Sequence, residues 1–150
     1  NRKLFLKSRA IGLELYVVYS EIAKLGGSVM LFNLTPHEIN VADADGNIVL
    51  SLPKCANPVR LVPEYEIVGN EDRIPVVKSV FPVASVKDVV EKIDDVLRVT
   101  GATRVVVSTV VAQAVADHFS TGVVVSPDTF FNVVRDEKNQ VKAVRRFQCF

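Results

Sequence analysis

Two short valine runs, residues 105–107 and 123–125, constrain the fold of this chain more than any other feature. Both runs are continuously apolar, and "VVAQAVADHF" between them has the length and apolar spacing of a helix of about ten residues. Strands that are buried on both faces have such uninterrupted runs, and a helix is the usual connection between parallel neighbours. The sequence therefore predicts a strand–helix–strand unit with two parallel, buried strands.

Hairpins, further strands and a second helix surround this unit. "EINVADADGNIVLSL" alternates around a turn at Gly46 and predicts a hairpin, and the C-terminal segment predicts another around residues 137–140. "SVKDVVEKIDDVLRVTG" predicts a helix with a capping-box-like start at Ser85 and Asp88 and with Gly101 after its end. "MLFNL", "NPVRLVPEYEIVG" and "RIPVVKSVF" are extended. Because thirty of the 150 residues are valine, which favours sheets, we predict one α/β or α+β domain with a mixed β-sheet.

The N-terminal segment has a different pattern from this body. The apolar residues Ile11, Leu15, Val18, Ile22 and Leu25 follow a 4-3-4-3 spacing, which predicts a helix over residues 2–25 that packs on the body or between subunits. An alternative is that Met30 is the natural first residue and that residues 1–29 are upstream sequence. The predicted organisation is therefore an N-terminal helix in residues 1–29 and a single globular domain in residues 30–150.

Composition excludes several classes of protein. A net charge of +1 with scattered basic residues gives no reason to expect a nucleic acid or a membrane surface as partner. The absence of Trp, the abundance of Val and the balanced charge are typical of a thermophile, and we expect a cytoplasmic protein. Cys55 and Cys149 are two buried thiols or one disulfide. We predict no metal site and no cofactor.

Two junctions after the valine strands could hold a ligand. Ser108 and Thr109 follow the first run and begin the helix, where free N–H groups favour a phosphate or carboxylate. The alternative is an ordinary helix cap. Asp128 follows the second run, and if the two strands are neighbours, Ser108 and Asp128 could line one crevice.

His37 is the candidate for proton transfer. It follows Thr35 and Pro36 in a constrained turn, and Thr35 could orient its ring. The alternative is an imidazole that fastens the turn by bonding main-chain carbonyls. His118, late in the second helix, is expected to be structural. Arg60 and Arg135 lie inside apolar strands, where each either points to solvent or binds a carboxylate or an anion.

"LFNLTPHEINV", "NPVRLV", "VVVSTVVAQAV" and "VVVSPDTFFNVVRDEKNQVKAV", in this order, resemble a family of small uncharacterised proteins of prokaryotes and their viruses. Its members open with N-L-T-P-H before a strand. The resemblance covers Met30 to about Val144, and "CANPVR" departs from the serine and glycine that members often carry before the arginine strand. It implies no established activity. It singles out as site residues Asn33, Thr35, Pro36, His37, Arg60, Ser108, Pro127, Arg135 and Asp136.

Two functions follow from these patterns. In the first, the chain binds or transforms a phosphate-bearing or nucleotide-like molecule, with His37 near Ser108, Arg60 and Arg135. This hypothesis requires His37 to lie near Ser108 or Arg135. In the second, the chain is a non-catalytic, virus-related interaction protein that forms a homo-oligomer through its N-terminal seam or its valine-rich edges.

Overall fold

The described segments of the N-terminal part of the chain are strands. The computed structural model describes residues 5–10, 13–18, 22–25 and 29–150, with side chains from Leu31 onward. The first three segments are β1 (Phe5–Ala10), β2 (Leu13–Val18) and β3 (Ile22–Leu25). β1 pairs antiparallel with β2, and β3 pairs with the strand that follows it. The helix predicted over residues 2–25 is therefore wrong wherever the structure describes that segment, because strand pairing overrides a helical apolar spacing.

The body combines strands with two helices, which confirms the predicted α+β class. Its elements in chain order are β4 (Val29–Asn33), β5 (Ile39–Ala42), β6 (Ile48–Leu52), β7 (Glu64–Glu71), β8 (Ile74–Val80), α1 (Val83–Thr100), β9 (Arg104–Val106), α2 (Thr109–Val115), β10 (Val124–Pro127), β11 (Val134–Arg135), β12 (Val141–Ala143) and β13 (Phe147–Gln148). The segment 57–63, predicted as extended, is irregular and only its continuation forms β7.

A five-stranded sheet in the order β13-β10-β9-β4-β3 forms the centre of the fold. The three inner strands are parallel: β9 pairs with β10 through Val105 and Val124, and with β4 through Val105 and Phe32. The outer strands β13 and β3 are antiparallel to their neighbours. The predicted strand–helix–strand unit, β9–α2–β10, is confirmed.

The valine run of β9 is buried on both faces of this sheet, which explains why it is continuously apolar. Val105 and Val107 pack against the helices, together with Ile93 of α1 and Val111 of α2. Val106 packs on the opposite side, in a second cluster with Leu31, Ile39, Leu52, Val125 and Val144. Each fully buried side chain of this kind stabilises the fold by about 1.5–3 kcal/mol.

Helix α1 begins earlier than the sequence predicts. Its first residue is Val83, behind Pro82, and no side-chain hydrogen bond caps it, so the predicted start at Ser85 is wrong. Pro82 is the N-cap residue: its carbonyl accepts the N–H of Val86 (3.1 Å), and proline, which has no N–H, is tolerated at a helix start but not in a helix interior. The C-terminal end is as predicted: Gly101 has a φ of 69° and its N–H donates to the carbonyl of Leu97.

A second layer covers the sheet face opposite the helices. The predicted hairpin β5–β6 is confirmed. Val144, the residue after β12, joins its edge: the N–H of Val144 donates to the carbonyl of Asn40 (2.9 Å) and that of Ala42 to the carbonyl of Val144 (2.8 Å). The C-terminal hairpin β11–β12 is also confirmed. The hairpin β7–β8 differs from these because nearly all of its residues are exposed.

Two further predictions concern cysteines and membranes. Cys55 is half-buried, Cys149 is exposed, and no disulfide joins them, so neither the disulfide nor the pair of buried thiols is found. Within the described residues, no helix is both long and apolar enough to cross a membrane.

Candidate functional site

A cavity of about 770 Å³ opens at the carboxyl ends of the three parallel strands. Residues 35–40 reach it after β4, residues 108–111 after β9, and Pro127 and Thr129 at the end of β10. Two further segments, 59–63 and 141–144, also line it. Ligands of open α/β sheets bind in the crevice beyond the carboxyl ends of the strands. The topology of the sheet therefore makes this cavity the candidate functional site.

The turn that carries His37 is held by Asn33, which is only 3% exposed. Its Nδ2 donates to the carbonyls of His37 (2.8 Å) and Pro53 (3.0 Å). Its Oδ1 accepts from the main-chain N–H (2.9 Å) and the hydroxyl (2.7 Å) of Thr35. These bonds satisfy polar groups that would otherwise be costly to bury. Asn33 and Thr35 therefore fix the path of the chain between β4 and β5.

The imidazole of His37 takes no part in this fastening. The main-chain carbonyl of His37 accepts from Asn33, and the main-chain N–H of His37 donates to Thr35 Oγ1 (3.4 Å). The side chain is exposed and lines the cavity. Among residues 31–150 it has no hydrogen-bond partner. The ring is thus available to a bound molecule, whereas the turn depends on other side chains.

The junction between β9 and α2 is organised by two hydroxyls. Ser108 Oγ accepts the N–H of Val111 (3.3 Å), as a helix cap does. Thr109 Oγ1 lies 3.3 Å from Ser126 Oγ on β10. Both Ser108 and Thr109 also line the cavity. The helix cap that the sequence analysis gives as the alternative is thus present, and the capping residue, Ser108, also lines the cavity.

Among residues 31–150, the charged side chains on the cavity lining are predominantly basic. They are Arg60, Lys142 and Glu38, all three are exposed, and His37 lines the same cavity. The remaining wall is mostly apolar, formed by Pro36, Ile39, Val59, Leu61, Val62, Pro63, Val110, Val111, Pro127, Val141, Ala143 and Val144. The cavity therefore combines positive charge with a large apolar surface.

Asp128 does not line the cavity. Its side chain is buried, and its Oδ2 accepts from Arg146 Nε at 2.8 Å while its Oδ1 accepts from the N–H of Phe130 at 3.1 Å. The hydrogen bond from Arg146 holds the pKa of the Asp128 carboxyl below its ordinary value. The guanidinium of Arg146 also lies 3.6 Å from the centre of the Phe131 ring. Asp128 therefore orders the loop after β10, and the structure does not bring it together with Ser108 on the cavity wall.

Arg135 also lies away from the cavity lining. It is exposed on β11, and its Nη1 donates to the carbonyl of Asn139 (2.9 Å) within the C-terminal hairpin. His118 ends a short 3₁₀ turn after α2 and is exposed. Of the predicted site residues, the structure brings together Thr35, His37, Arg60, Ser108 and Thr109 at one cavity, but not Asp128 or Arg135.

Two lysines at or near the site have no signal in the sequence. Lys142 reaches the cavity because β12 joins β5 across about a hundred residues of chain, where Asn40 Nδ2 donates to the Lys142 carbonyl. Lys92 of α1 donates to the carbonyls of Asn57 (2.7 Å) and Pro58 (3.4 Å), which fixes the segment that leads to Arg60. Burial lowers the pKa of Lys92, and an electrostatic interaction with Cys55 opposes this shift. Both lysines reach their positions through contacts between residues that are far apart in the sequence, so no local pattern predicts them.

Comparison of the chain with protein-family models, with curated proteins and with solved structures gives no match in any of the three. The resemblance drawn from the N-L-T-P-H motif therefore stays a prediction. Among the residues with described side chains, no three His, Cys, Asp or Glu lie together as metal ligands would. The geometry of the cavity is thus the basis for a functional proposal.

Proposed function

We propose that this chain binds a small anionic molecule with an apolar body, of the phosphate-bearing or nucleotide-like class, in the cavity at the ends of β4, β9 and β10. The observation that carries the proposal is that Arg60, Lys142 and His37 line one cavity with a mostly apolar wall at this edge of the sheet. The volume of the cavity, about 770 Å³, lies within the range of small-molecule sites.

Each part of the wall would meet a different part of such a molecule. The guanidinium of Arg60 can bind a phosphate or carboxylate through two parallel hydrogen bonds, and the ammonium of Lys142 adds positive charge. The apolar residues would cover a base or another flat group. An imidazole both donates and accepts protons near neutral pH, so His37 is the residue to which we assign proton transfer if the bound molecule reacts.

A calorimetric screen tests this proposal. Melting temperatures are measured with nucleotides, sugar phosphates and inorganic phosphate, because a ligand that binds the folded state raises the melting temperature. At a concentration one hundred times its Kd, a ligand adds about 2.7 kcal/mol, or about 5–10 °C for a chain of this size. If none of the three groups of compounds raises the melting temperature, the proposal is contradicted.

Two variants and one control locate the binding. Arg60→Ala and His37→Ala should each reduce the ligand-induced shift of the melting temperature. Arg135→Ala removes the same charge from an exposed arginine away from the cavity and should leave the shift unchanged. A shift lost equally in Arg60→Ala and Arg135→Ala would indicate general charge attraction and not a site.

We also propose that copies of the chain associate with one another. The observation behind this is the hairpin β7–β8, whose apolar side chains are largely exposed: Tyr65 is 65% and Ile67 is 71% exposed. Contiguous exposed apolar side chains mark interaction surfaces. A cytoplasmic, thermophilic or virus-related setting rests only on the composition and the motif resemblance, and we retain it as part of the proposal.

A further inference from the structure

The hairpin β7–β8 is a two-stranded ribbon with unequal faces. The register pairs Tyr65 with Ser79, Ile67 with Val77 and Asn70 with Pro75, and directly opposed residues share a face. We call these six residues the uncharged face. The opposite face has eight residues, four of them charged: Glu64, Glu66, Gly69, Glu71, Ile74, Val76, Lys78 and Val80. A bulge between Ile67 and Gly69 accounts for the change of register along β7.

The uncharged face is open to solvent. Tyr65, Ile67 and Val77 are 65%, 71% and 50% exposed, and Pro75 beside them is also exposed. An isolated two-stranded hairpin is only marginally stable in water, and it becomes stable when one face packs on another surface. Within the described residues, nothing packs on this face closely enough to bury it. A further surface would therefore stabilise the ribbon.

The edges of the hairpin are poorly suited to pairing with another strand. Pro75 lacks an N–H for a ladder, and Lys78 places a charge on β8. β7 carries three glutamates and the bulge, both of which disfavour edge pairing. The face, and not an edge, is consequently the surface left for association.

We propose that two copies of this chain pack against each other through the uncharged faces of their β7–β8 hairpins. The inference rests on the self-association proposed above and names its surface. Two copies of an uncharged face bring no like charges together, and a net charge of +1 over 150 residues gives little long-range repulsion. A two-fold pair also uses the same surface patch on both copies, as closed dimers do.

The size of the face sets the strength of this dimer. Its four apolar side chains, Tyr65, Ile67, Pro75 and Val77, each contribute about 60–120 Å² of apolar area, so that both copies together bury about 500–1,000 Å². Specific stable complexes bury about 1,200–2,000 Å², and smaller interfaces are weak and reversible. The dimer should therefore form at micromolar or higher protein concentration and dissociate on dilution.

Sedimentation velocity across a concentration series tests this surface with a matched pair of variants. Ile67→Lys places a charge on the uncharged face and should weaken dimerisation at least tenfold. Ile74→Lys makes the same change at a similarly exposed isoleucine (67%) on the charged face and should alter it less than about twofold. Ile67→Thr keeps the strand preference, and we expect it to weaken the dimer as well, with the circular dichroism spectrum unchanged.

The outcomes separate the surface from the association itself. A chain that stays monomeric at every concentration would overturn both proposals. A dimer that is unaffected by Ile67→Lys and Ile67→Thr would leave self-association standing and overturn the assignment of this face. An equal loss in Ile67→Lys and Ile74→Lys would also overturn it, because the two faces would then not differ. Ligand binding at the cavity is measured separately and does not depend on any of these results.

Discussion

Removing the amide of Asn33 should destabilise the whole domain, although Asn33 is a polar residue at the end of β4 and not part of the apolar clusters. Asn33→Ala deprives the buried Thr35 N–H of its acceptor and the Pro53 carbonyl of its donor, and it leaves the His37 carbonyl with the Thr35 hydroxyl (3.1 Å) as donor. A buried group left without a partner costs about 1–3 kcal/mol and a partly hydrated one about 0.5–1.5 kcal/mol. The sum is a loss of about 3 kcal/mol, or about 6–12 °C in melting temperature.

Urea denaturation followed by circular dichroism measures this loss, with His37→Ala as the control. Because the imidazole is exposed and makes no hydrogen bond among residues 31–150, its removal should change the free energy of unfolding by no more than about 0.5 kcal/mol. If His37→Ala destabilises the domain as much as Asn33→Ala, the imidazole fastens the turn and our assignment of roles is refuted. A change below about 1 kcal/mol in Asn33→Ala would refute the role of the amide.

Three further predictions concern positions around the sheet. Ser108→Ala removes the cap of α2 and should lower the free energy of unfolding by about 1 kcal/mol, measured by urea denaturation. Asp128→Asn removes a carboxyl whose pKa is lowered by the hydrogen bond from Arg146. As the pH falls below 3.8, the ordinary pKa of this group, the unfolded chain takes up a proton while the folded wild type keeps the carboxyl ionised. The difference in free energy of unfolding between wild type and Asp128→Asn should therefore shrink as the pH is lowered below 3.8. Denaturation at a series of pH values would show a constant difference if this is wrong. Gly122→Ala should lower the melting temperature, because φ is +88° and a Cβ would lie 2.7 Å from Arg104 Nη1; an unchanged value would contradict this.

Much of the central sheet could be predicted from the sequence, because its determinants are local. The valine runs 105–107 and 123–125 indicate strands buried on both faces, and β9 and β10 confirm this. Gly46 and Gly101 mark a turn and a helix end where a left-handed backbone is needed. The N-terminal segment was not predictable in the same way, since its apolar spacing fits a helix whereas pairing with neighbouring strands makes it extended.

The candidate site was predictable only in part. Ser108 and Thr109 follow a recognisable strand, and the parallel topology places the ends of such strands at one edge of the sheet. By contrast, Lys142 reaches the cavity through β12, which meets β5 far away in sequence. Asp128 follows a strand in the same way as Ser108, yet its carboxylate is taken by Arg146 of the C-terminal segment. Pairings between distant segments leave no local pattern, so sequence spacing alone cannot separate these two residues.

Titration of the ¹⁵N-labelled chain with a nucleoside monophosphate, followed by amide chemical shifts, shows residue by residue whether the cavity binds a ligand. We predict saturable shifts that concentrate in residues 35–40, 59–63 and 108–111, which line the cavity. The amides of β11 and of the β7–β8 hairpin should not move with them. Shifts that are absent, that do not saturate, or that are spread over exposed basic residues such as Arg135 and Arg73 would contradict a binding site at the ends of the parallel strands.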